Sequence, residues 1–256
     1  MIRNLFAAAL VAALGAGLIT AGLQHFRVTP LILHAESFEG EGGHSHGAEA
    51  VVAAHEHPEG TPAHSHDDAV ATNAAASEEW APQDGFERTA YTVLATVLAA
   101  AGFALVIGAV SMFANIPITF ANGLLWGMAG FVTFTLAPAY GLPPELPGMP
   151  AGDLFARQVW WTGTALATGA ACLVLAKTRA GWAFAVATAL IAAPHIIGAP
   201  VAPDEPSAVP AHLATEFAAV TLGTALVFWL LLATLFGKLN DTFAARQATV
   251  PTGAVA

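Results

Sequence analysis

The stretch TAYTVLATVLAAAGFALVIGAVSMF, residues 89–113, holds 25 consecutive residues without one charged side chain. A helix that crosses about 30 Å of hydrocarbon needs roughly 20 apolar residues, so this segment is long enough to span a membrane. The rest of the chain shares its character, because 56% of the 256 residues are hydrophobic and 10% are charged. A soluble protein carries about 25% charged residues. The composition therefore predicts an integral membrane protein.

Six stretches reach or approach the length of a membrane span. They are residues 5–23, 89–113, 118–139, 159–176, 181–197 and 213–236. Apolar and polar residues do not alternate with period two, and lipid excludes unpaired backbone groups, so we predict an all-α integral membrane fold with about six transmembrane helices. The count is five if the first stretch is a cleaved signal peptide. Its apolar run of about 19 residues exceeds the usual 7–15, which favours an uncleaved span.

The connections between these stretches alternate in length. Those at 114–117 and 177–180 are short, whereas those at 25–88, 140–158 and 198–212 are long. This alternation predicts three helical hairpins whose long loops lie on one side of the membrane.

Lysine and arginine favour the cytoplasmic side of a membrane protein. The side with the short connections carries Arg3, Lys177, Arg179, Lys238 and Arg246, and the other side carries Arg27, Arg88 and Arg157. We therefore expect a multi-pass protein of a bacterial inner membrane with both termini in the cytoplasm. The predicted segments are a first helix at 1–24, an extracytoplasmic loop at 25–88, a five-helix membrane domain at 89–237 and a cytoplasmic tail at 238–256.

The predicted loop at 25–88 is acidic and rich in histidine. Residues 24–88 hold twelve acids and two arginines, which equals the net charge of −10 for the whole chain. This local field attracts cations and makes nucleic acid an implausible partner. Within the loop, GHSHGAEAVVAAHEHPEGTPAHSHD (43–67) contains three His-x-His pairs, formed by His44, His46, His55, His57, His64 and His66.

Each His-x-His pair presents two imidazoles on one side of an extended backbone. Imidazole is a common ligand of nickel, cobalt, copper and zinc ions. The surrounding residues are too polar and small to build a core, so we predict a disordered loop whose six histidines bind a divalent metal ion. The alternative is a polar linker whose histidines are incidental.

A second group of candidates lies near the edges of the predicted spans. His195 follows Pro194, and His212 and Glu216 are four residues apart on one helix face. These three side chains are a candidate transport path that receives the ion from the loop. The alternative places His212 in the membrane interface and Glu216 at a favourable helix N-terminus.

Two predicted spans end in a similar way, each broken by a proline. The sequence LAP (136–138) precedes AYGLPPELPG, and AAP (192–194) precedes HIIGAPVAPDEP. Such breaks free backbone carbonyls and suggest a related binding site, or two ordinary helix ends. The end of the fifth stretch is expected to be bent or unwound at Pro194.

Several residues have a simpler structural interpretation. We expect Asn115 and Asn122 to satisfy backbone groups, Cys172 to pack, and Trp160 and Trp161 to anchor the membrane interface. Five glycines suit close helix packing. They are Gly102, Gly108, Gly123, Gly127 and Gly130.

The run LAPAYGLPPELPGMPAGDLFARQVWW (136–161) resembles the core signature of the predicted cobalt transporter subunit family CbtA. The run PHIIGAP (194–200) and the VPAHL segment before the last span are similar to the same family, as are the first residues and the first span. The residues of this chain that match the family signature are Glu145, Arg157, Gln158, Trp160, Trp161, Pro194, His195 and Pro210. Members are usually described with about five spans.

The resemblance implies cobalt uptake linked to cobalamin synthesis, together with a small single-span, His-rich partner subunit, CbtB. Nickel or zinc is the alternative ion, and a homo-oligomer is an alternative assembly. We expect no resident cofactor. The competing hypothesis is a membrane-tethered metal buffer or sensor. Enzyme activity is not expected, because the sequence holds neither H-E-x-x-H nor G-x-x-x-x-G-K-[ST].

Overall fold

The computed structural model describes residues 2–43, 82–83 and 85–248, and every regular element in these ranges is helical. There are eight α-helices in the described residues: α1 (Ile2–Leu23), α2 (Thr29–Gly43), α3 (Phe86–Ala114), α4 (Gly123–Phe131), α5 (Ala137–Gly141), α6 (Leu154–Lys177), α7 (Gly181–Ile197) and α8 (Ala211–Ala248). A π-helical turn at Gln24–Val28 joins α1 to α2, and a second at Val132–Leu136 joins α4 to α5. A 3₁₀ turn at Phe120–Asn122 precedes α4.

The all-helical membrane class is confirmed. Five helical segments in the described residues are long and apolar enough to cross a membrane: Ile2–Phe38, Phe86–Ala114, Phe120–Gly141, Leu154–Lys177 and Ala211–Gln247. The fifth predicted stretch, 181–197, forms α7, a shorter apolar helix of 17 residues. At 1.5 Å per residue its length is about 25 Å, somewhat less than a typical hydrocarbon core.

The first helix continues beyond the predicted boundary at residue 24. The π turn carries the helix onward into α2, so residues 25–43 of the predicted loop are helical. Thr96 on α3 donates a hydrogen bond to Gln24 at the π turn (Oγ1 to Oε1, 2.8 Å). Arg88 and Glu36 form a two-pronged ion pair between the start of α3 and α2, with Nη1 and Oε2 3.0 Å apart. Tertiary contacts of this kind extend a helix whose local composition is polar.

The first span packs closely against two other helices along one face. Helix α1 packs against both α3 and α8. Its buried stripe consists of alanines, with Ala8, Ala12 and Ala16 fully inaccessible. Because small side chains let helix backbones approach, this stripe explains the close packing.

Helices α4 and α8 meet along the predicted glycine face. A Cβ atom added at Gly123 would lie 2.8 Å from Thr234 Cα, and one at Gly127 would lie 2.8 Å from the Trp229 carbonyl oxygen. Gly130 faces the Trp229 ring just as closely. The expectation for these three glycines is confirmed. Gly108 also faces Leu5, with 3.2 Å between its added Cβ and Leu5 Cδ2, whereas Gly102 has nothing within 4 Å and is not a packing glycine.

The neighbours of α7 and α8 differ from the expected hairpin of stretches 181–197 and 213–236. Helix α7 packs along α6, and α8 packs against α1 and α4. The expected unwinding at Pro194 is also wrong, because α7 remains helical through Pro194 to Ile197. One turn of helix after the proline keeps its carbonyl oxygen in use, since Gly198 N donates to it over 3.1 Å.

The short connection between α3 and α4 is held by asparagine, as expected. Asn115 ends α3 in the left-handed conformation (φ 50°), which asparagine tolerates better than most residues. Asn122 accepts a hydrogen bond from Thr119 N (2.8 Å) and donates one to the Pro117 carbonyl (2.8 Å). The Asn122 side chain therefore satisfies backbone groups of the turn, whereas Asn115 contributes its left-handed backbone conformation.

Candidate functional site

The connections 142–153 and 198–210 lie at the same end of the bundle, which we call the long-loop end. Ser207 Oγ donates a hydrogen bond to the Gly148 carbonyl (3.0 Å) and so ties the two connections together. Leu146 is buried, with 3% of its surface exposed, in a small core shared with Val28, Leu213 and Phe217. The first connection is thus a packed structure that α2 and α8 support.

An ion pair sits directly beside this core. Arg157 Nη2, on the first turn of α6, lies 2.6 Å from Glu145 Oε2 in the connection, and the two side chains are 26% and 22% exposed. Asp153 caps α6 by accepting a hydrogen bond from Ala156 N (2.8 Å), which fixes where Arg157 begins its helix turn. The pair is therefore positioned by a capped helix on one side and a buried loop residue on the other.

The ion pair lines a cavity of about 530 Å³ between α5, α6 and α8. Its wall includes Gln158 and Trp161 from α6, Phe134 and Thr135 from the π turn, and Leu222 from α8. Four signature residues, Glu145, Arg157, Gln158 and Trp161, thus meet at one cavity. Sequence reasoning grouped these residues by resemblance but missed the cavity, which depends on the π turn before Pro138.

Trp160 occupies a different position, between the ends of α5 and α7. Its side chain is buried, with 9% of its surface exposed, and Nε1 donates a hydrogen bond to the Pro194 carbonyl (3.1 Å). Gly141, the last residue of α5, leaves room for the indole ring, and a Cβ there would overlap it. The predicted role of Trp160 as an interface anchor is therefore wrong, because its side chain packs inside the protein. Trp161 is partly exposed and lines the cavity, and its predicted anchoring role stays a prediction.

His195 stands in an aromatic setting. Its ring meets Tyr140 edge to face, with centroids 5.2 Å apart, and Trp160 at 5.7 Å. Its Nδ1 is buried and has no hydrogen-bond partner in the described residues. His212 and Glu216 lie on the exposed face of the first turns of α8.

The predicted transport-path residues do not form one metal site. Across residues 2–43 and 85–248, no three His, Cys, Asp or Glu side chains lie close enough to hold a metal ion. His195 contacts two aromatic rings, whereas His212 and Glu216 face outward on α8. The three side chains therefore lie in different environments. The six histidines of the His-x-His pairs, His44 to His66, lie outside the described residues.

A row of small polar groups lies deeper along α6. Thr164 and Thr168 are fully buried, and Thr133 Oγ1 of the π turn is 3.9 Å from Cys172 Sγ. Cys172 therefore packs against a hydroxyl, in line with its expected packing role. A repeated spacing of four residues on α6 is the sequence signal that marks this row.

Five long apolar helical segments among the described residues define a multi-pass helical membrane protein. The chain belongs to the CbtA family, described as "Probable cobalt transporter subunit", whose family model matches residues 2–241. No curated protein and no solved structure matches the chain. The family match confirms the resemblance found in the sequence. It makes the protein a cobalt transporter subunit by family, and a subunit implies a partner protein in a transporter complex.

Proposed function

We propose that this protein is the multi-pass subunit of a divalent-metal uptake system whose cargo is cobalt destined for cobalamin synthesis. The observation that carries the proposal is the family match, which extends over nearly the whole helical bundle. The acidic segment with three His-x-His pairs supports it. Its net charge of −10 raises the local concentration of metal cations, and its imidazoles can bind them. The protein works as a transporter component and not as an enzyme.

The proposed topology puts both termini in the cytoplasm of a bacterial cell and the His-rich segment outside the inner membrane. Support comes from the positions of the cations. Asn240 near the end of α8 donates to the Ile118 carbonyl (2.9 Å), so the end of α8 and the short turn before α4 share one end of the bundle. Lys238 belongs to this end, and the short turn between α6 and α7 brings Lys177 and Arg179 to the same side by topology. Positive charge concentrated there favours a cytoplasmic location.

The proposed sequence of events begins with capture of the ion by the six histidines. The ion then passes to the long-loop end of the bundle, where His195, His212 and Glu216 supply separate contacts, and onward between the helices. A divalent cation that moves inward through 100 mV gains about 4.6 kcal/mol, twice the single-charge value, which suffices for modest accumulation. A small single-span, His-rich subunit of the CbtB type is the proposed partner, with a homo-oligomer as the other assembly.

The test is uptake of radiolabelled cobalt in cells that express the protein, the small partner, both or neither, with nickel and zinc as competitors. We expect uptake that needs both proteins and that cobalt itself inhibits best. Uptake that is equal with and without the protein would refute the proposal.

A second arm separates transport from a tethered metal buffer, which the His-x-His pairs alone also fit. All six loop histidines are replaced by glutamine, which keeps loop length and acidity. A transporter should lose uptake at limiting cobalt and keep it at high cobalt, whereas a buffer should lose all accumulated metal at every concentration. The matched control replaces two exposed histidines outside the pairs, His25 of the π-helical turn and His34 of α2, and it should behave as the unaltered protein.

A further inference from the structure

The cavity at the long-loop end has an amphipathic lining. Glu145, Arg157 and Gln158 form its polar part, and Phe134, Trp161 and Leu222 are among its apolar walls. The apolar stretch on α6 runs from residue 159 to 176, so Arg157 stands at its edge and Trp161 stands within it. The charged part of the lining thus lies at the level of the lipid head groups, and the apolar part lies at the level of the acyl chains.

The cavity opens sideways along α6. Leu154, Gln158 and Thr162 are spaced four residues apart, all three line the cavity, and all three are exposed. Such a row covers two helix turns, or about 12 Å along the axis. Because α6 spans the membrane, an exposed row that enters the apolar stretch faces lipid. The opening is therefore a groove through which a membrane molecule can enter without crossing water.

The ion pair decides what kind of head group fits. Glu145 and Arg157 present one negative and one positive charge 2.6 Å apart, and each side chain keeps about a quarter of its surface exposed. A ligand with a single charge would leave one partner unmatched and desolvated, which costs free energy. A zwitterionic head group can exchange with the pair, placing its anion on Arg157 and its cation on Glu145.

We infer that this groove binds one aminophospholipid, with the phosphate on Arg157, the ammonium on Glu145 and an acyl chain along Phe134, Trp161 and Leu222. The volume of about 530 Å³ accommodates a head group and the first part of a chain, within the usual 300–1,000 Å³ of small-molecule sites. A bound lipid would pack between α6 and α8 and so hold in place the helices that carry the signature residues. This inference goes beyond metal transport and does not depend on it.

The experiment offers the full-length protein in detergent an equimolar mixture of phosphatidylethanolamine and phosphatidylglycerol with identical acyl chains. Native mass spectrometry counts the lipids retained. We expect the unaltered protein to retain phosphatidylethanolamine preferentially. Glu145→Gln should shift the preference toward phosphatidylglycerol by roughly tenfold, because one charge-assisted hydrogen bond to the ammonium is lost. Arg157→Gln should lower retention of both lipids by a similar factor, because both carry the phosphate.

The matched controls are Glu36→Gln and Arg88→Gln, which remove charges from the other ion pair at the long-loop end, outside the cavity. They should leave lipid retention unchanged. Thr162→Trp keeps the test decisive if a charge variant fails to fold, because an exposed side chain there would fill the groove and reduce retention of both lipids together.

Three results would overturn the inference. The first is equal retention of the two lipids by the unaltered protein, and the second is an equal shift in the control variants. The third is displacement of bound lipid by millimolar glycerophosphoethanolamine, which would assign the site to a soluble zwitterion. The lipid experiment contains no metal ion, so a negative result in it would not bear on the cobalt uptake experiment.

Discussion

Replacement of Gly127 by alanine tests whether the contact between α4 and α8 determines the stability of the bundle. The added Cβ would lie 2.8 Å from the Trp229 carbonyl oxygen and 3.0 Å from Leu230 Cα, whereas ordinary contacts lie at 3.4–4 Å. Both obstacles are backbone atoms, which cannot rotate away. The helices must therefore separate by roughly half an ångström or strain locally, and overpacking of this kind typically costs about 1–3 kcal/mol.

The matched control is Gly102→Ala, because an added Cβ at Gly102 meets nothing within 4 Å. Alanine is the better helix former by about 0.5–1 kcal/mol, so this variant should be neutral or slightly more stable.

Cys172, the only cysteine in the chain, provides the assay. It is partly buried against Thr133, so a thiol-reactive fluorophore reports the temperature at which the bundle opens. Gly127→Ala should lower that temperature clearly relative to Gly102→Ala. If both variants open at the temperature of the unaltered protein, the close approach of α4 and α8 does not carry the stability assigned to it.

Three further predictions use other parts of the chain. Trp160→Phe removes the indole donor to the Pro194 carbonyl, which keeps its bond from Gly198 N. The variant should therefore lower stability by about 0.5–1.5 kcal/mol in the same thiol assay, the net contribution of one intramolecular hydrogen bond; an unchanged opening temperature would contradict the role of this bond. Asn122→Ala removes two hydrogen bonds of the short turn and should cost about 1 kcal/mol, measured against Asn4→Ala as a singly bonded control. Calorimetry should show strong cobalt binding by a synthetic peptide of residues 43–67 at about pH 7.5 and weak binding at about pH 5.5. Imidazole has an ordinary pKa of about 6.5 and a protonated ring does not bind metal; equal binding at both pH values would exclude imidazole ligands.

Much of the fold follows from periodic and compositional signals in the chain. The long apolar stretches predicted the helices, because a backbone in lipid must pair its polar groups within a helix. The glycines at 123, 127 and 130 predicted a close helix contact, which α8 makes, because small residues let helices approach closely. Helix α2 was missed because Gln24, His25 and Arg27 interrupt the apolar run before it and its second half is acidic and rich in glycine. What keeps it helical is its packing on Leu146 and the Arg88–Glu36 pair, and such contacts are not local in sequence.

The candidate site was harder to predict than the helices. Glu145, Arg157, Gln158 and Trp161 were identified through resemblance, but their meeting in one cavity depends on the π turn at Val132–Leu136, which local sequence does not announce. The predicted role of Trp160 was wrong for a related reason. Trp160 was assigned to the lipid interface from its position near a span end, yet its partner is a carbonyl 34 residues away.

The two proline-containing helix ends show how one local device acquires two uses. Helix α5 ends three residues after Pro138 and α7 ends three residues after Pro194, and each proline carbonyl accepts a hydrogen bond from the residue four positions later, over 2.9 and 3.1 Å. Both bonds are the ordinary bonds between a carbonyl and the amide four residues later, so the geometry also fits two ordinary helix ends. The Pro194 carbonyl also accepts the Trp160 indole, which locks α7 to α6, whereas Pro138 lines the cavity on the other side of α6. The Pro194 end of α7 thus fixes the position of α6, the helix that carries Arg157. The Pro138 end of α5 shapes the cavity that Arg157 faces. A change at Trp160 should therefore alter the cavity without touching it.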